Sequence, residues 1–338
     1  RTFRDHWWRD PRDPRTLKQG ELPLIEHNFS LFFGIAVMLY ESTLVSDQSP
    51  FDEHIASLKG KPGAKPLSGE AALGFSVFMT SGKCVDCHKG PELSVSGFES
   101  QLAGKNHREQ VELMRMRGPS GEPTSMYDSG FYNLGVRPSG EDVGVGGDDR
   151  FGYPLSLTKQ YLPHVKTGQG TVDEFTVDPC GFAIQPCEPI ERPELVGVAV
   201  KGAFKTPSLR NVELTGPYMH NGGMATLRQV VEFYNRGGDF PNNEQSPDIK
   251  PLWLNDVQVR SLVAFLKSLT DERVRCEQAP FDHPALTISD GYRQEANGTY
   301  REIRRELPAV GRSGRPKAAC LKSFEDELGL DAGKRGHS

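Results

Sequence analysis

The feature that most constrains this chain is the short segment from Cys84 to His88, which reads C-V-D-C-H. In the pattern C-x-x-C-H, two cysteine thiols lie one helical turn apart, and each can form a thioether bond to a vinyl group of a porphyrin. The histidine that follows is then held under the iron, where it can bind as the proximal ligand. The segment therefore predicts a c-type haem that is attached covalently through Cys84 and Cys87 and has His88 as its proximal iron ligand.

Two other kinds of site use a C-x-x-C pair, and neither explains the adjacent histidine. A thioredoxin-like redox pair needs no histidine directly after its second cysteine. A structural zinc site needs a second pair of ligands close by, and none follows Cys87 in the sequence. A redox pair and a zinc site are the alternatives to haem.

Composition limits the classes of protein to which the chain can belong. Its 338 residues are enough for one large domain or two ordinary ones. A net charge of -5 gives no indication of nucleic acid as a partner. The longest apolar run, residues 31–40, is too short to cross a bilayer, which needs about 20 residues. We therefore expect no transmembrane segment, and a buried helix at this run.

Four cysteines remain outside the motif. Cys180 and Cys187 lie close together in a loop-like stretch, and Cys276 and Cys320 flank the C-terminal tail. The simplest pairing is Cys180–Cys187 and Cys276–Cys320, although sequence alone does not fix the connectivity. Disulfides beside covalent haem indicate the periplasm or another exported location. Because the chain opens at Arg1 without methionine, we expect a processed N-terminus or a sequence that begins within a longer protein.

Apolar spacing predicts a mainly α fold with long loops and few short strands. A long helix is expected over residues 21–45 and a short one ending near Leu58. A third helix begins after Ser68 as N-cap and leads into the C-x-x-C-H motif. Further helices are expected over 227–234, from Asn255 onward and at 318–328, with short strands near 130–136 and 196–200. The tail from 275 to 318 is expected to be irregular.

Three segments resemble one protein family. Residues 205–238 (KTPSLRNVELTGPYMHNGGMATLRQVVEFYNRGG) and 69–91 resemble the second-haem domain of the bacterial di-haem cytochrome c peroxidase and MauG family. Residues 36–51 are similar to the helix that joins the two haem domains in that family. The resemblance covers about residues 22–270. It implies an N-terminal segment with the inter-domain helix (1–66), a cytochrome c-like domain (67–275) with a long insertion at about 92–203, and a C-terminal tail (276–338).

The chain departs from this family in having one C-x-x-C-H motif where members have two. By motif order, the motif present belongs to the second, electron-transfer haem, and the first haem, where peroxide reacts, would lie before residue 1. The resemblance thus implies an oxidoreductase that works with a second haem domain or haem protein and a small redox protein as electron donor. A protein that truly has one haem, acting as an electron carrier without catalysis, is the alternative.

The resemblance also implies a sixth iron ligand. In the peroxidases, an axial methionine lies fourteen residues after the histidine of a P-Y-x-H motif. That histidine corresponds to His220, and the same spacing leads to Tyr234, as in MauG, which has an axial tyrosine. Met219, Met224 and an open site are the alternatives. His220 itself is expected near the haem without binding its iron.

A calcium ion lies between the two haem domains in the family. The backbone carbonyls of Thr215 and Pro217 match the positions that bind it. Carbonyl oxygens suit this hard cation. The sequence identifies no third protein ligand.

Overall fold

The computed structural model describes residues 18, 23–97, 111–115, 124–167 and 197–330. Within these ranges the chain forms nine α-helices and seven β-strands. The helices are α1 (Leu24–His27), α2 (Phe29–Glu41), α3 (Pro50–Leu58), α4 (Gly69–Met79), α5 (Leu157–Thr167), α6 (Leu227–Arg236), α7 (Asp256–Lys267), α8 (Glu272–Arg275) and α9 (Phe324–Glu327). The strands are β1 (Val111–Arg115), β2 (Thr124–Asp128), β3 (Phe131–Asn133), β4 (Gly197–Val198), β5 (Ala203–Lys205), β6 (Leu286–Gln294) and β7 (Tyr300–Leu307).

The strands form three small sheets. Strand β2 pairs antiparallel with β1 and parallel with β4, and β3 pairs antiparallel with β5. These strands are short, as expected from the sequence. The pair β6 and β7 forms an antiparallel hairpin in the tail that was expected to be irregular, so that expectation is wrong. Most hairpin residues are exposed on both faces, which leaves little apolar alternation to reveal a strand.

The chain divides into two compact units, one of Arg1–Asp47 with Cys276–Cys320 and one of Gln48–Arg275 with Leu321–Ser338. The domain limits expected at 66 and 275 stay a prediction. In the first unit, the Cys276–Cys320 disulfide is confirmed, with its sulfur atoms 2.05 Å apart. The other expected pair, Cys180–Cys187, lies outside the described residues.

The helix expected over residues 21–45 is shorter and is interrupted at Asn28, between α1 and α2. The expectation that its apolar run is buried is wrong, because no residue of α2 is buried. Apolar residues are buried only where another apolar surface covers them, and the described part of this unit supplies no such cover. No helix in the described ranges is long and apolar enough to span a membrane.

The core of the second unit forms where α4 packs against α7. Phe265 of α7 has its ring centroid 5.0 Å from that of Phe78 and 5.4 Å from that of Phe75, and Phe51 of α3 contacts the same ring at 5.5 Å. Buried residues of α7 recur at helical spacing: Val259, Leu262, Phe265 and Leu266. This crossing fixes the end of α4, from which the C-x-x-C-H motif follows.

Capping residues set where the helices of this unit begin. Thr226 before α6 and Asn255 before α7 each form a capping box with the glutamine three residues later, Gln229 and Gln258. Helix α6 ends at Gly237, whose φ of 86° suits glycine. Ser68 occupies the N-cap position of α4, as expected, but its side chain makes no capping hydrogen bond.

The close approach of α4 and α7 requires glycine at residue 74. A Cβ added there would lie 1.8 Å from the backbone oxygen of Ser261. We expect Gly74→Ala to lower the free energy of unfolding by about 3 kcal/mol, because the two helices would have to separate. Urea unfolding followed by far-UV circular dichroism measures the change.

Gly69 provides the matched control in the same helix. A Cβ there has no atom within 4 Å. Gly69→Ala should be neutral or stabilising by up to about 1 kcal/mol, because alanine favours the helix. Equal effects of the two substitutions would show that the helix crossing is not the constraint.

Candidate haem site

A cavity of about 410 Å³ lies in the second unit, within the usual size range of cofactor sites. Cys84, Cys87 and His88 line it, together with Tyr234 from α6. The structure thus brings the motif residues and the expected sixth ligand to one cavity. Much of the remaining lining is apolar, including Leu134, Val136, Leu209, Val230 and Leu262.

The motif begins directly after α4. Lys83 adopts a left-handed conformation (φ 52°) and turns the chain into a 3₁₀ turn, Cys84–Asp86. The backbone N–H of His88 donates to the carbonyl of Cys84 at 2.9 Å. Both cysteines are free thiols. The turn therefore presents the thiols and the imidazole from one short, hydrogen-bonded segment.

Two observations bear on the alternatives to haem, a redox pair and a zinc site. Burial raises the pKa of Cys84 to about 12 and that of Cys87 to about 11. A redox-active C-x-x-C pair depends on a lowered thiol pKa, which gives a thiolate at neutral pH. Across the described residues, no group of three or more His, Cys, Asp or Glu side chains could hold a metal ion. The raised pKa of the thiols is unlike that of a redox-active pair, and the described residues offer no cluster of metal ligands at the motif.

The environment of His88 suits a proximal ligand. Burial lowers its pKa, an effect that hydrogen bonding to the carbonyls of Leu93 and Pro207 partly opposes. Nδ1 lies 3.0 Å from the carbonyl oxygen of Leu93. Because a carbonyl oxygen can only accept, this contact requires a proton on Nδ1, and in the neutral tautomer that has it the Nε2 lone pair would be available to a metal.

A clamp centred on Arg210 holds the loop that supplies the Leu93 carbonyl. The Arg210 guanidinium donates from Nε to the Pro91 carbonyl at 2.6 Å and, through two nitrogens, to both carboxylate oxygens of Asp52 at 3.0 Å. Ser208 donates from its hydroxyl to the Glu92 carbonyl at 2.6 Å. The segment around Arg210 therefore positions the loop that orients His88.

Tyr234 is the polar group of α6 that lines the cavity. Burial raises its pKa, and negative charge on Cys87 and Cys84 would raise it further. Its phenol is therefore neutral in the protein alone. Met219 also lines the cavity, whereas Met224 is in the apolar core, 8% exposed, and is not among the lining residues.

His220 lies at the cavity, as expected for a residue near the haem. Its ring stacks on Phe204, with centroids 3.6 Å apart and planes 10° from parallel. Its Nε2 pairs with the carboxylate of Asp142. Asp142 and Phe204 could not be identified as partners of His220 from the sequence, because both come from segments outside the motif. The expected calcium ligands Thr215 and Pro217 also line the cavity, and calcium there stays a prediction.

The polar groups of the cavity wall test whether the cavity fits haem. Tyr218, inside the P-Y-x-H motif, also lines the cavity, and its buried hydroxyl has no hydrogen-bond partner among the described residues. Burial and the nearby carboxylates of Glu325 and Glu213 raise the pKa of Tyr218, so its hydroxyl is not counted as a donor to an acidic ligand. Haem carries two carboxylates, and the cations Lys83, Lys205 and Lys250 also line the cavity. The residues present therefore fit a flat, apolar cofactor with acidic substituents.

Asp52 makes the clamp pH-dependent. Burial raises its pKa, but the hydrogen bonds from Arg210 and Ser49 outweigh this effect, and the net pKa is lowered. A lowered pKa stabilises the fold above the unfolded value, about 3.9, and this contribution is lost as pH falls through the folded value. Arg210→Ala should therefore cost about 3 kcal/mol at pH 7, and the cost should shrink below about pH 4. Urea unfolding at both pH values measures it.

Hydrogen exchange gives the control for this prediction. Arg210→Ala should speed amide exchange over residues 89–95, since the loop loses its anchor at Pro91. Arg137→Ala removes an exposed ion pair with Glu141 and should leave the loop unchanged. A stability difference that stays constant from pH 7 to 3 would contradict the role given to Asp52.

The chain is similar to several curated cytochrome c peroxidases. A cytochrome-c peroxidase of Denitromonas iodatirespirans is 31% identical over 240 residues, which are 70% of this chain and 48% of the relative. The cytochrome c551 peroxidase of Nitrosomonas europaea is 44% identical over 281 residues, 80% of this chain and 55% of the relative. The MauG protein of Paracoccus denitrificans is 38% identical over 104 residues, 25% of this chain and 27% of the relative.

Comparisons with family models and with solved structures give no further support for a family. No family model matches the chain. A solved MauG-like protein associated with microbial copper homeostasis is 22% identical, with 70% of this chain and 55% of that chain covered, and its TM-score of 0.39 is too low to support an argument. The chain spans about half the length of the first two curated relatives described above. On the similarity to these relatives, the chain belongs to the bacterial di-haem cytochrome c peroxidase and MauG family.

Proposed function

We propose that this chain binds one c-type haem covalently and is the electron-transfer half of a peroxidase or MauG-like oxidoreductase. The observation that carries the proposal is that Cys84, Cys87, His88 and Tyr234 line one and the same cavity. When bound, the haem supplies one-electron redox chemistry at its iron. The protein supplies attachment, axial ligands and a mainly apolar environment.

Each motif residue has a separate task. The Cys84 and Cys87 thiols each add across a vinyl C=C bond, sulfur to one carbon and hydrogen to the other, so the reaction has no leaving group. His88 would hold the iron through Nε2 if Nδ1 donates to the Leu93 carbonyl. Lys205, which lines the cavity, would offer a donor to the haem carboxylates.

Tyr234 is the proposed sixth ligand. Its pKa is raised by burial, so it loses its proton only when a cation binds the oxygen directly. Ferric iron supplies that charge more effectively than ferrous iron. An anionic oxygen would favour oxidised iron, so Tyr234 would give the bound haem a lower reduction potential than a methionine ligand would.

The relatives' length motivates the rest of the proposal. Since they are about twice as long as the matched region, a second haem domain or a haem protein is the proposed partner, with peroxide or an organic substrate reacting there. A small redox protein would exchange electrons with the haem of this chain. Calcium on the Thr215 and Pro217 carbonyls and a periplasmic location complete the proposal.

Covalent attachment is the first prediction of this function. Denatured protein should keep its haem absorbance, and its mass should exceed that of the polypeptide by one haem, because thioether bonds survive unfolding. Mass spectrometry and a haem-stained denaturing gel measure this. The double variant Cys84→Ala/Cys87→Ala should lose the adduct, whereas Cys276→Ser/Cys320→Ser should keep it. Colour that acid-acetone extracts completely would overturn the assignment.

The haem count of the intact protein separates the enzyme from the carrier. A pyridine haemochrome value near two per intact protein supports an enzyme with a second haem, and a value near one supports a mono-haem carrier.

Axial ligation by Tyr234 gives another prediction. Tyr234→Met should raise the reduction potential by on the order of 100 mV, since a thioether favours ferrous iron. Tyr234→Phe should leave an open or water-bound iron with a changed spectrum. Spectroelectrochemistry measures both. Met219→Leu is the control and should change neither quantity. A Tyr234→Phe variant with the wild-type spectrum and potential would make Met219 the better ligand.

A further inference from the structure

Helix α6 carries Tyr234, and its own sequence determines where the helix begins but not where it lies in the fold. The capping box of Thr226 and Gln229 joins residues three apart, so it defines the first turn without attaching the helix to the rest of the protein. A ligand site has to hold its side chains within about 0.5 Å of the bonding position. Contacts with distant segments must therefore position Tyr234.

One such contact lies at the end of α6 next to Tyr234. The Asn235 side chain accepts from the backbone N–H of Leu254 at 2.8 Å and donates to the carbonyl of the same residue at 3.0 Å. The Asn235 carbonyl also accepts from the N–H of Leu252 at 3.0 Å. These three hydrogen bonds fix the residue that directly follows Tyr234 to the segment before α7.

A second contact holds the opposite end of α6. Glu325 of α9 is 7% exposed, and its carboxylate accepts from the backbone N–H of Leu227, the first residue of α6, at 2.6 Å. The same carboxylate pairs with Lys267 at the end of α7, at 3.5 Å. A carboxylate at a helix N-terminus satisfies an N–H that has no partner inside the helix, and the helix dipole stabilises its charge. Glu325 thus attaches α6 to a segment 98 residues further along the chain.

The segment that carries Glu325 is itself docked on the same unit. Phe324 lies against Gly216, where an added Cβ would come within 2.6 Å of the Phe324 Cβ. The N–H of Leu321 donates to the carbonyl of Arg275 at 2.8 Å. The segment is therefore attached on the N-terminal side of Glu325, which leaves the buried carboxylate little freedom to move away from α6.

Both contacts act on the wall of the cavity. Leu227 and Leu254, the residues that Glu325 and Asn235 bind, line the cavity, as does Tyr234 between them in space and sequence context. We call the contacts made by Asn235 and Glu325 the two anchors of α6. Because they hold opposite ends of one helix, they limit both its shift along its axis and its rotation.

We propose that Asn235 and Glu325 are positioning residues for the sixth ligand, which hold the two ends of α6 so that the Tyr234 oxygen can reach the iron. The proposal rests on the proposed function, in which Tyr234 binds the iron. Removing a residue that orients a metal ligand typically lowers metal affinity by about 10- to 100-fold. Loss of either anchor should therefore let a small anion compete more easily with the phenolate for ferric iron.

The test titrates azide into the haem-loaded ferric chain and measures its Kd from the change in the Soret band. Tyr234→Phe gives the value for an iron without the phenolate and should lower the Kd. Asn235→Ala and Glu325→Ala should each lower it about tenfold. Glu325→Gln keeps an oxygen that accepts from the Leu227 N–H and should stay within about threefold of wild type.

A double-mutant cycle with Tyr234→Phe separates positioning from a general loosening of the cavity. In the Tyr234→Phe background, Asn235→Ala and Glu325→Ala should change the azide Kd by less than about twofold, since no phenolate remains to be positioned. The proposal is wrong if these substitutions lower the Kd equally in both backgrounds. It is also wrong if they leave the Kd unchanged when Tyr234 is present.

Arg236→Ala and Glu327→Ala are the matched controls. Arg236 follows Asn235 in α6 and pairs with Asp239 at 2.5 Å, and Glu327 is exposed in the same short helix as Glu325. Both variants should keep the wild-type azide Kd. A Glu325→Gln variant with a Kd as low as that of Glu325→Ala would overturn the role given to the hydrogen bond with Leu227.

Two outcomes that could confuse the result are recognised separately. If Asn235→Ala does not fold, Asn235→Asp replaces it, because aspartate keeps the acceptor for the Leu254 N–H and loses the donor to its carbonyl. That variant should lower the azide Kd about threefold, and an unchanged Kd would contradict the proposal. If Tyr234→Phe itself leaves the Kd unchanged, the axial ligand of the proposed function is wrong, and this is known before any anchor is altered.

Discussion

The close contact of α4 and α7 at Gly74 is the constraint on which the site depends. A side chain at this position would collide with the backbone of Ser261, so the two helices meet backbone to backbone. The aromatic cluster around Phe265 then fills the space beside the contact. Because the C-x-x-C-H turn follows α4 after only a few residues, the helix crossing determines where the thiols and the imidazole lie relative to α6.

Hydrogen bonds then set the orientation of the side chains that packing brings to the cavity. Packing brings His88 to the cavity, but the direction of its ring depends on the Leu93 carbonyl. That carbonyl belongs to a loop anchored by Arg210 and Asp52, which lie 158 residues apart in the chain. This polar clamp connects three segments that are distant in sequence: α3, the loop that contains Leu93, and the segment before α6. Its two partners are mostly shielded from solvent, so losing one of them leaves the other poorly compensated.

Much of the site could be predicted because its chemistry is local in sequence. The motif Cys84 to His88 can be recognised from its spacing alone. Helices α6 and α7 can be predicted from their capping residues and apolar periodicity. The resemblance to the family predicts Tyr234 as a residue of the haem site, and in the structure Tyr234 lines the cavity. Contacts between distant segments could not be predicted, and Asp142 beside His220 and Asp52 beside Arg210 are examples. The exposure of α2 could not be predicted either, because an apolar run in the sequence does not show whether another surface covers it.

The cavity is also chemically consistent as a place for a cation. Burial raises the pKa of both thiols and of Tyr234, and it lowers that of His88. All four groups are therefore neutral in the protein alone, so none of them adds the free-energy cost of an isolated charge in an apolar environment. Ferric iron in a porphyrin carries one net positive charge before the haem carboxylates are counted. In the proposed site, deprotonation of Tyr234 would cancel that charge, and Lys205 at the cavity wall would be available to the haem carboxylates. A neutral thioether could not cancel it, which is the electrostatic reason for proposing Tyr234 over Met219 when the iron is oxidised.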